Sequence, residues 1–342
     1  MVFILNNRAE NEKLYSLVKF IRGIMIDSIN PKHPYIGKQH AKDEYLESVK
    51  LLIDTLSPHL TKSEIRDIPK KLQVAKASIN EAQYLQAACE LTVCLYFAEK
   101  YGINFIYEDK VNPPKDVDCS FIDDNSKYNI EVKCADFSVV DNMKNDDCFK
   151  MSALGRMPEY RGIISDLQET FNDLGKQLKT YKHLDNRMKD FLISAHDKFS
   201  DKNYGDVVNV LLVCCDDAMD MTKWTSYLTG LQGLFTKDSF HSRELFNKVD
   251  VVILSNLYHR HAKYQEKENI VNNWDFASSF NILLCNPGRK SDKKRAIEHL
   301  YEIIPNFSKE VMNYTGTYEL DALKLATFVN KELKAKNRHY FN

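Results

Sequence analysis

The chain has 342 residues, of which 44% are hydrophobic and 28% are charged, and its formal net charge at pH 7 is −1. This composition is typical of a soluble protein with one large domain or two smaller ones. Residues 1–8 become polar too early for a signal peptide, and no apolar run is long enough to span a bilayer. We therefore expect a cytoplasmic protein without a membrane partner. The near-zero charge does not decide whether nucleic acid is a partner, because a cleft can be locally basic.

The eight cysteines are scattered along the chain, and none belongs to a Cys-x-x-Cys pair. Several fall within predicted strands or within an apolar helix, which predicts reduced core residues. The nearest candidate for a zinc site, His259 with His261, has no second ligand pair near it in the sequence, so we expect no structural zinc.

Residues 1–75 are predicted to form a helical module. Apolar periodicity indicates helices over 11–28 and 38–56 and a shorter helix from Thr61. Nothing in this segment supplies catalytic chemistry, so we expect it to contact DNA, a protein partner or a second copy of the chain. Residues 76–342 are predicted to form the main domain.

A long helix is predicted ahead of the first strands. The sequence Ser-Ile-Asn-Glu at 78–81 is a capping-box pattern at its start, and Gly102 marks its end. The helix is apolar on nearly every face, yet it contains Glu90. An ionised carboxylate in such surroundings needs a charged partner or a metal ion.

Alternating apolar and polar residues on both sides of the turn at 123–126 predict a β-hairpin. Symmetric pairing about this turn places Asp118 opposite Glu131 and Asp116 opposite Lys133. Three carboxylates and one amine would then share one face of the hairpin. Carboxylates this close repel each other, and a divalent cation is the simplest group that makes the cluster tolerable.

The pattern of Asp118 on one strand and Glu131-Val132-Lys133 on the next resembles the PD-(D/E)xK nuclease superfamily, which includes many restriction endonucleases. Val117 stands where the family motif has proline. The resemblance implies that Lys133 positions or deprotonates the attacking water and stabilises charge on the phosphate.

The same resemblance implies an α/β fold with a restriction-endonuclease-like mixed central sheet flanked by helices. It also implies that Asp118 and Glu131, with the backbone carbonyl of Val132, hold Mg²⁺, for which Mn²⁺ would substitute. Asp116 is the alternative to Asp118 as the ligand. Glu90 lies in a Glu-Leu context like that of the family's preceding helix, and it would contribute to the metal site directly or through water.

A further helix is predicted over 173–181, with Gln177 and Tyr181 one turn apart on the same face. Some nucleases of the superfamily have Gln-x-x-x-Tyr at this stage of the chain. The resemblance therefore adds Gln177 to the catalytic residues, as a contact to phosphate or a group that orients Lys133. A solvated helix face explains the spacing equally well.

The rest of the main domain is predicted to be a polar, helical insertion, several buried strands and a charged helical end. Short apolar runs rich in β-branched residues are typical of strands buried on both faces. The predicted segments are the insertion over about 135–205, strands over 207–215, 249–255 and 281–285, a helix over 222–234, and the C-terminal helical segment over 291–342.

Two groups of basic residues could touch phosphates, although a solvated surface is the simpler interpretation of each. The first is the run 289–295. His259 and His261 follow a predicted strand, and we expect a surface or hydrogen-bonded role for them rather than catalysis. The second basic group consists of Lys176, Lys179, Lys182 and Arg187.

These observations predict a Mg²⁺-dependent DNA endonuclease that serves as the effector of a restriction or anti-phage defence system. The alternative is a catalytically silent relative that binds nucleic acid or a protein partner. A third interpretation is that Glu131 and Lys133 are only the polar face of a hairpin in another α/β enzyme. A homodimer would suit double-strand cleavage, because one such site cuts one strand at a time.

Overall fold

The computed structural model describes residues 23, 26–137, 159–175, 184–200, 207–267, 270 and 272–306. Within these residues the chain forms a six-stranded mixed sheet in the order β1 to β6. Strands β1 to β3 are antiparallel, β3 to β5 are parallel, and β6 returns antiparallel to β5. The strands are β1 Phe105–Tyr107, β2 Cys119–Asp123, β3 Ser126–Cys134, β4 Val207–Cys214, β5 Val251–Ser255 and β6 Asn281–Cys285.

Helices flank this sheet, so the predicted α/β class with a mixed sheet and flanking helices is confirmed. Among the described residues, no helix combines the length and the apolar character needed to cross a bilayer. The helices are α1 Asp43–Leu56, α2 Lys62–Lys71, α3 Glu81–Tyr101, α4 Tyr160–Asp173, α5 Leu184–Lys198, α6 Ala218–Thr229, α7 Leu257–His261 and α8 Lys294–Ile303.

The hairpin of β2 and β3 has the predicted register, with Cys119 opposite Ile130 and Ser120 opposite Asn129. Its two central turn residues, Asp124 and Asn125, have φ values of 43° and 62°. Positive φ at both positions is the requirement of a type I′ hairpin turn, and Asp and Asn tolerate it better than most residues. The turn chemistry therefore fixes the register on which the position of Glu131 depends.

Helix α3 is buried along most of its length, as its apolar sequence predicts. It ends as predicted at Gly102, where φ is +51°. The predicted capping box is wrong, because Asn80 is the N-cap and its side chain accepts a hydrogen bond from the Gln83 N–H at 3.1 Å. Glu81 instead accepts a hydrogen bond from the hydroxyl of Tyr35, which ties the helix start to the N-terminal segment.

The N-terminal helices pack into the same apolar core as the sheet. Helix α1 begins at Asp43 rather than near 38, because the preceding backbone is taken up by turns. Helix α2 follows Thr61, which forms a capping box with Glu64. Tyr45 of α1 stacks on Tyr264 with ring centroids 3.8 Å apart. The boundary near residue 75 stays a prediction.

Strands β4, β5 and β6 lie where continuous apolar runs predicted them, and nearly all of their residues are buried. Helix α6 lies four residues earlier than predicted, because the side chain of Asp217 accepts a hydrogen bond from the Asp220 N–H at 2.8 Å and caps the helix. Of the eight cysteines, Cys148 lies outside the described residues. The other seven are free thiols, of which all but Cys134 are buried.

Acidic groups pair with several cations of the basic run 289–295, and contact of this run with phosphates stays a prediction. Lys293 is buried and lies 2.7 Å from the carboxylate of Asp250, which is itself buried. Arg295 reaches Asp124 at 3.0 Å, and Arg289 lies 3.3 Å from Asp292. The run anchors α8 to the sheet.

We expect Lys293→Met to lower the free energy of unfolding by about 3 kcal/mol, because it leaves the Asp250 carboxylate buried without its counter-ion. The Lys293 side chain is 6% exposed and that of Asp250 is 1% exposed. Lys294→Met is the matched control, since Lys294 is 59% exposed and should change stability by less than about 0.5 kcal/mol. Urea denaturation measures both, and equal effects would contradict the buried pair.

Candidate active site

Glu90 and Asp118 lie close enough to Glu131 that its charge contributes to raising the pKa of both. Glu131 is completely buried, and Glu90 is 7% exposed. Burial raises the pKa of Asp118 well above its usual value, and the like charges of Glu90 and Glu131 raise it further. Helix α3, the residue that precedes β2 and the middle of β3 thus bring three predicted site carboxylates together.

The buried carboxylate of Glu131 contacts two lysines. Lys133, on the same face of β3, places its Nζ 2.7 Å from Oε1. Lys198, the last residue of α5, places its Nζ 2.8 Å from Oε1 and 2.9 Å from Oε2. Burial lowers the pKa of Lys198, but the charge of Glu131 and its hydrogen bond outweigh this and hold the pKa above its usual value.

Asp118 continues the hairpin beyond the last paired residue of β2. The backbone ladder ends at Cys119, and the Oδ2 of Asp118 accepts the Val132 N–H at 2.6 Å. The predicted pairing of Asp116 with Lys133 is not part of this ladder, because both residues lie beyond its last pair, Cys119 with Ile130. The hydrogen bond fixes Asp118 beside β3.

Gln86 is a site residue that the sequence did not indicate. Its Nε2 donates to the carbonyl oxygen of Val132 at 3.1 Å, and its Oε1 accepts the Cys134 N–H at 2.6 Å. The amide therefore replaces a neighbouring strand along this stretch of β3. The only signal in the sequence is that Gln86 lies one helical turn before Glu90, so both residues share a face of α3.

Glu90 has the charged partner that its surroundings require. Lys71, the last residue of α2, places its Nζ 2.5 Å from Glu90 Oε1 and 2.7 Å from Glu108 Oε1. It also donates to the hydroxyl of Tyr107 at 3.0 Å. Burial raises the pKa of Glu90, and the ammonium of Lys71 opposes that rise. Glu108 has a φ of 44°, an uncommon conformation for a residue other than glycine.

A surface depression lies beside the buried carboxylates, along the last turns of α5. It is open to solvent and has a volume of about 440 Å³. The side chain of Lys198 reaches from this depression to Glu131 and is 23% exposed. The lining residues are Lys115, Asp190, Ile193, Ser194, Asp197 and Lys198.

The oxygen donors of the site suit a hard divalent cation. Carboxylates and a backbone carbonyl are ligands that Mg²⁺ accepts. Among the residues that the structure describes, no group of three or more His, Cys, Asp or Glu side chains is already arranged to hold a metal ion. Lysines contact Glu90 and Glu131 instead, and Gln86 contacts the Val132 carbonyl.

The helix predicted over 173–181 is wrong at its start. Helix α4 ends at Asp173, and Gly175 follows with a φ of +66°, a conformation that stops an α-helix. Gln177 and Tyr181 lie outside the described residues, and so do Lys176, Lys179 and Lys182. The role of Gln177 therefore stays a prediction.

The two histidines after β5 have the hydrogen-bonded role that was expected. His261 is buried, with its Nδ1 3.0 Å from the hydroxyl of Tyr45 and its Nε2 2.9 Å from that of Thr92. The Nδ1 of His259 lies 3.3 Å from the carboxylate of Asp216. Neither contact involves the three carboxylates of the site.

Comparison of the chain with protein-family models, with curated proteins and with solved structures gives no match. No family is shown by these comparisons. The resemblance of Asp118, Glu131 and Lys133 to the PD-(D/E)xK motif stays a prediction, and any functional argument depends on the site itself.

We expect His261 to make stability fall as the pH falls below about 6.5. Burial lowers its pKa well below 6.5, and the charges of Arg260 and Lys267 add to this effect. Below pH 6.5 the unfolded chain binds a proton that the folded protein does not. The resulting loss is about 1.4 kcal/mol per pH unit until the folded pKa is reached.

The check compares wild type with His261→Gln in urea denaturation at pH 7.5 and at pH 5.5. The wild type should lose about 1.4 kcal/mol more than the variant between these two values. Equal losses in both proteins would show that His261 does not titrate in this way.

Proposed function

We propose that this protein is a metal-dependent nuclease that hydrolyses phosphodiester bonds of DNA and has a restriction-endonuclease-like architecture. The observation that carries the proposal is the convergence of Glu90, Asp118 and Glu131 with Lys133. The sequence indicated these residues through one motif and through one carboxylate in an apolar helix. They come from helix α3, from the residue that precedes β2 and from β3. Three carboxylates beside a lysine suit metal-assisted hydrolysis of a phosphate ester.

Mg²⁺ or Mn²⁺ held by Asp118, Glu131, Glu90 and the Val132 carbonyl would polarise the phosphate and lower the pKa of a bound water. Lys133 Nζ, 2.7 Å from Glu131 Oε1, is positioned by that carboxylate. Its ammonium group stabilises negative charge that develops on the phosphate oxygens, and it orients the attacking water.

The substrate in this proposal is DNA, bound through its phosphates. A net charge of −1 gives the whole surface no attraction for a polyanion, so local cations must supply it. Lys115 and Lys198 line the depression and are the candidate cations, although Asp190 and Asp197 also line it and Asp197 lies 3.6 Å from Lys115. The same proposal includes action in the cytoplasm as the effector of a restriction or anti-phage system. The protein would act there with a protein partner or as a homodimer.

A catalytically silent module that binds nucleic acid or a protein partner is the second candidate function. The contacts of Glu131 favour it, because Lys198 lies against both carboxylate oxygens and Lys133 against one. A site that kept its lysines in place would have no room on Glu131 for a cation. Such a protein would bind DNA without cutting it.

We expect supercoiled plasmid to be nicked or linearised by the wild type in Mg²⁺ and left intact in EDTA. Lys133→Ala should lower the rate by about 10²-fold or more, since it removes the group that stabilises phosphate charge. Lys127→Ala is the matched control, because Lys127 lies on the same strand and pairs with Asp109 outside the site.

Equal cutting by wild type and Lys133→Ala would show that another site or a contaminant hydrolyses the plasmid. Gel retardation of DNA without cutting would favour the silent module instead.

A further inference from the structure

We propose that Lys198 is a built-in counter-ion of Glu131, and that a divalent cation displaces its ammonium group when the site is loaded. This inference depends on the proposed function, because it names a residue that governs access of the cation to that same site. Lys198 was not among the residues selected from the sequence, and it reaches Glu131 from 67 residues further along the chain.

The ammonium of Lys198 lies where a cation would sit on a carboxylate. Its Nζ is almost equidistant from the two oxygens, at 2.8 Å from Oε1 and 2.9 Å from Oε2. A metal ion bound by both oxygens of a carboxylate occupies the same position, between them. Among the described residues, Oε1 has ion-pair contacts but no hydrogen-bond donor of suitable geometry.

Charge balance explains why a lysine occupies this position. Glu131 is fully buried, and a buried carboxylate without a counter-ion is strongly destabilising. Lys133 contacts only Oε1, whereas Lys198 contacts both oxygens and is the second cation beside this buried group. An ammonium and a divalent cation cannot both occupy the position between the two oxygens of Glu131, because that position holds one cation and their like charges repel each other at such short range.

The displaced side chain of Lys198 can move into the open depression beside α5. Lys198 ends helix α5 and lines the open depression, together with Lys115 and Ser194. An ammonium released into this depression would lie next to the site and face solvent, where it can contact a DNA phosphate. Loading of the cation would thus place a positive charge where the substrate arrives.

The test uses Lys198→Met, which keeps the aliphatic length and removes the charge. We expect calorimetric titration with Mn²⁺ to give a Kd about tenfold lower than that of the wild type, because no ammonium competes for Glu131. In EDTA the variant should have a lower Tm than the wild type. Saturating Mn²⁺ should raise the Tm of the variant by more than it raises that of the wild type. Lys189→Met, on the same helix, is the control and should leave Kd unchanged.

Lys198→Gln serves if Lys198→Met does not fold, since its amide can still donate to Glu131. An unchanged or weaker Mn²⁺ affinity in the Lys198 variants would overturn the exchange, and so would an absence of Mn²⁺ binding by every protein. The two proposals fail separately. Tighter Mn²⁺ binding without plasmid cleavage would support the exchange and contradict the nuclease, whereas Mg²⁺-dependent cleavage with unchanged affinity would do the reverse.

Discussion

The carboxylate of Glu131 has no contact with solvent, and the surrounding fold must balance its charge. Removing such a group from water costs several kcal/mol unless cations or hydrogen-bond donors compensate it. Lys133 comes from the same strand and Lys198 from the end of α5, so this contact joins the end of that helix to β3. Glu90 shows the same arrangement on the other side of the site, with Lys71 at the end of α2.

The cluster lies at the end of the hairpin where the pairing of β2 with β3 stops, at Cys119. Beyond Cys119 no strand within the described part of the chain covers that side of β3, and side chains take over the hydrogen bonds of its backbone. Asp118 accepts the Val132 N–H, and Gln86 bridges the Val132 carbonyl to the Cys134 N–H. The end of this pairing therefore creates the space in which carboxylates and lysines meet.

The hairpin and the burial of Glu90 could be predicted because both depend on local patterns. A two-residue turn sets the register of the hairpin, and an apolar helix around a single carboxylate predicts a buried charge. Lys71, Gln86 and Lys198 could not be found in this way, because tertiary packing alone brings them to the site. The error in the predicted helix cap has a local cause, because Asn80, two residues after Ser78, is also a favourable N-cap residue and is the one that caps the helix. The mixed sheet was predicted in outline, and its strand order came only from the structure.

The central claim is that these carboxylates form a cation site that the lysines occupy when no metal is bound. Anomalous diffraction at the manganese absorption edge, from crystals soaked in MnCl₂, tests it most directly. The account predicts an anomalous peak bound by Asp118 and Glu131, with the ammonium of Lys198 moved away from Glu131. A map with no peak at these carboxylates, and with Lys198 still against both oxygens of Glu131, would contradict it.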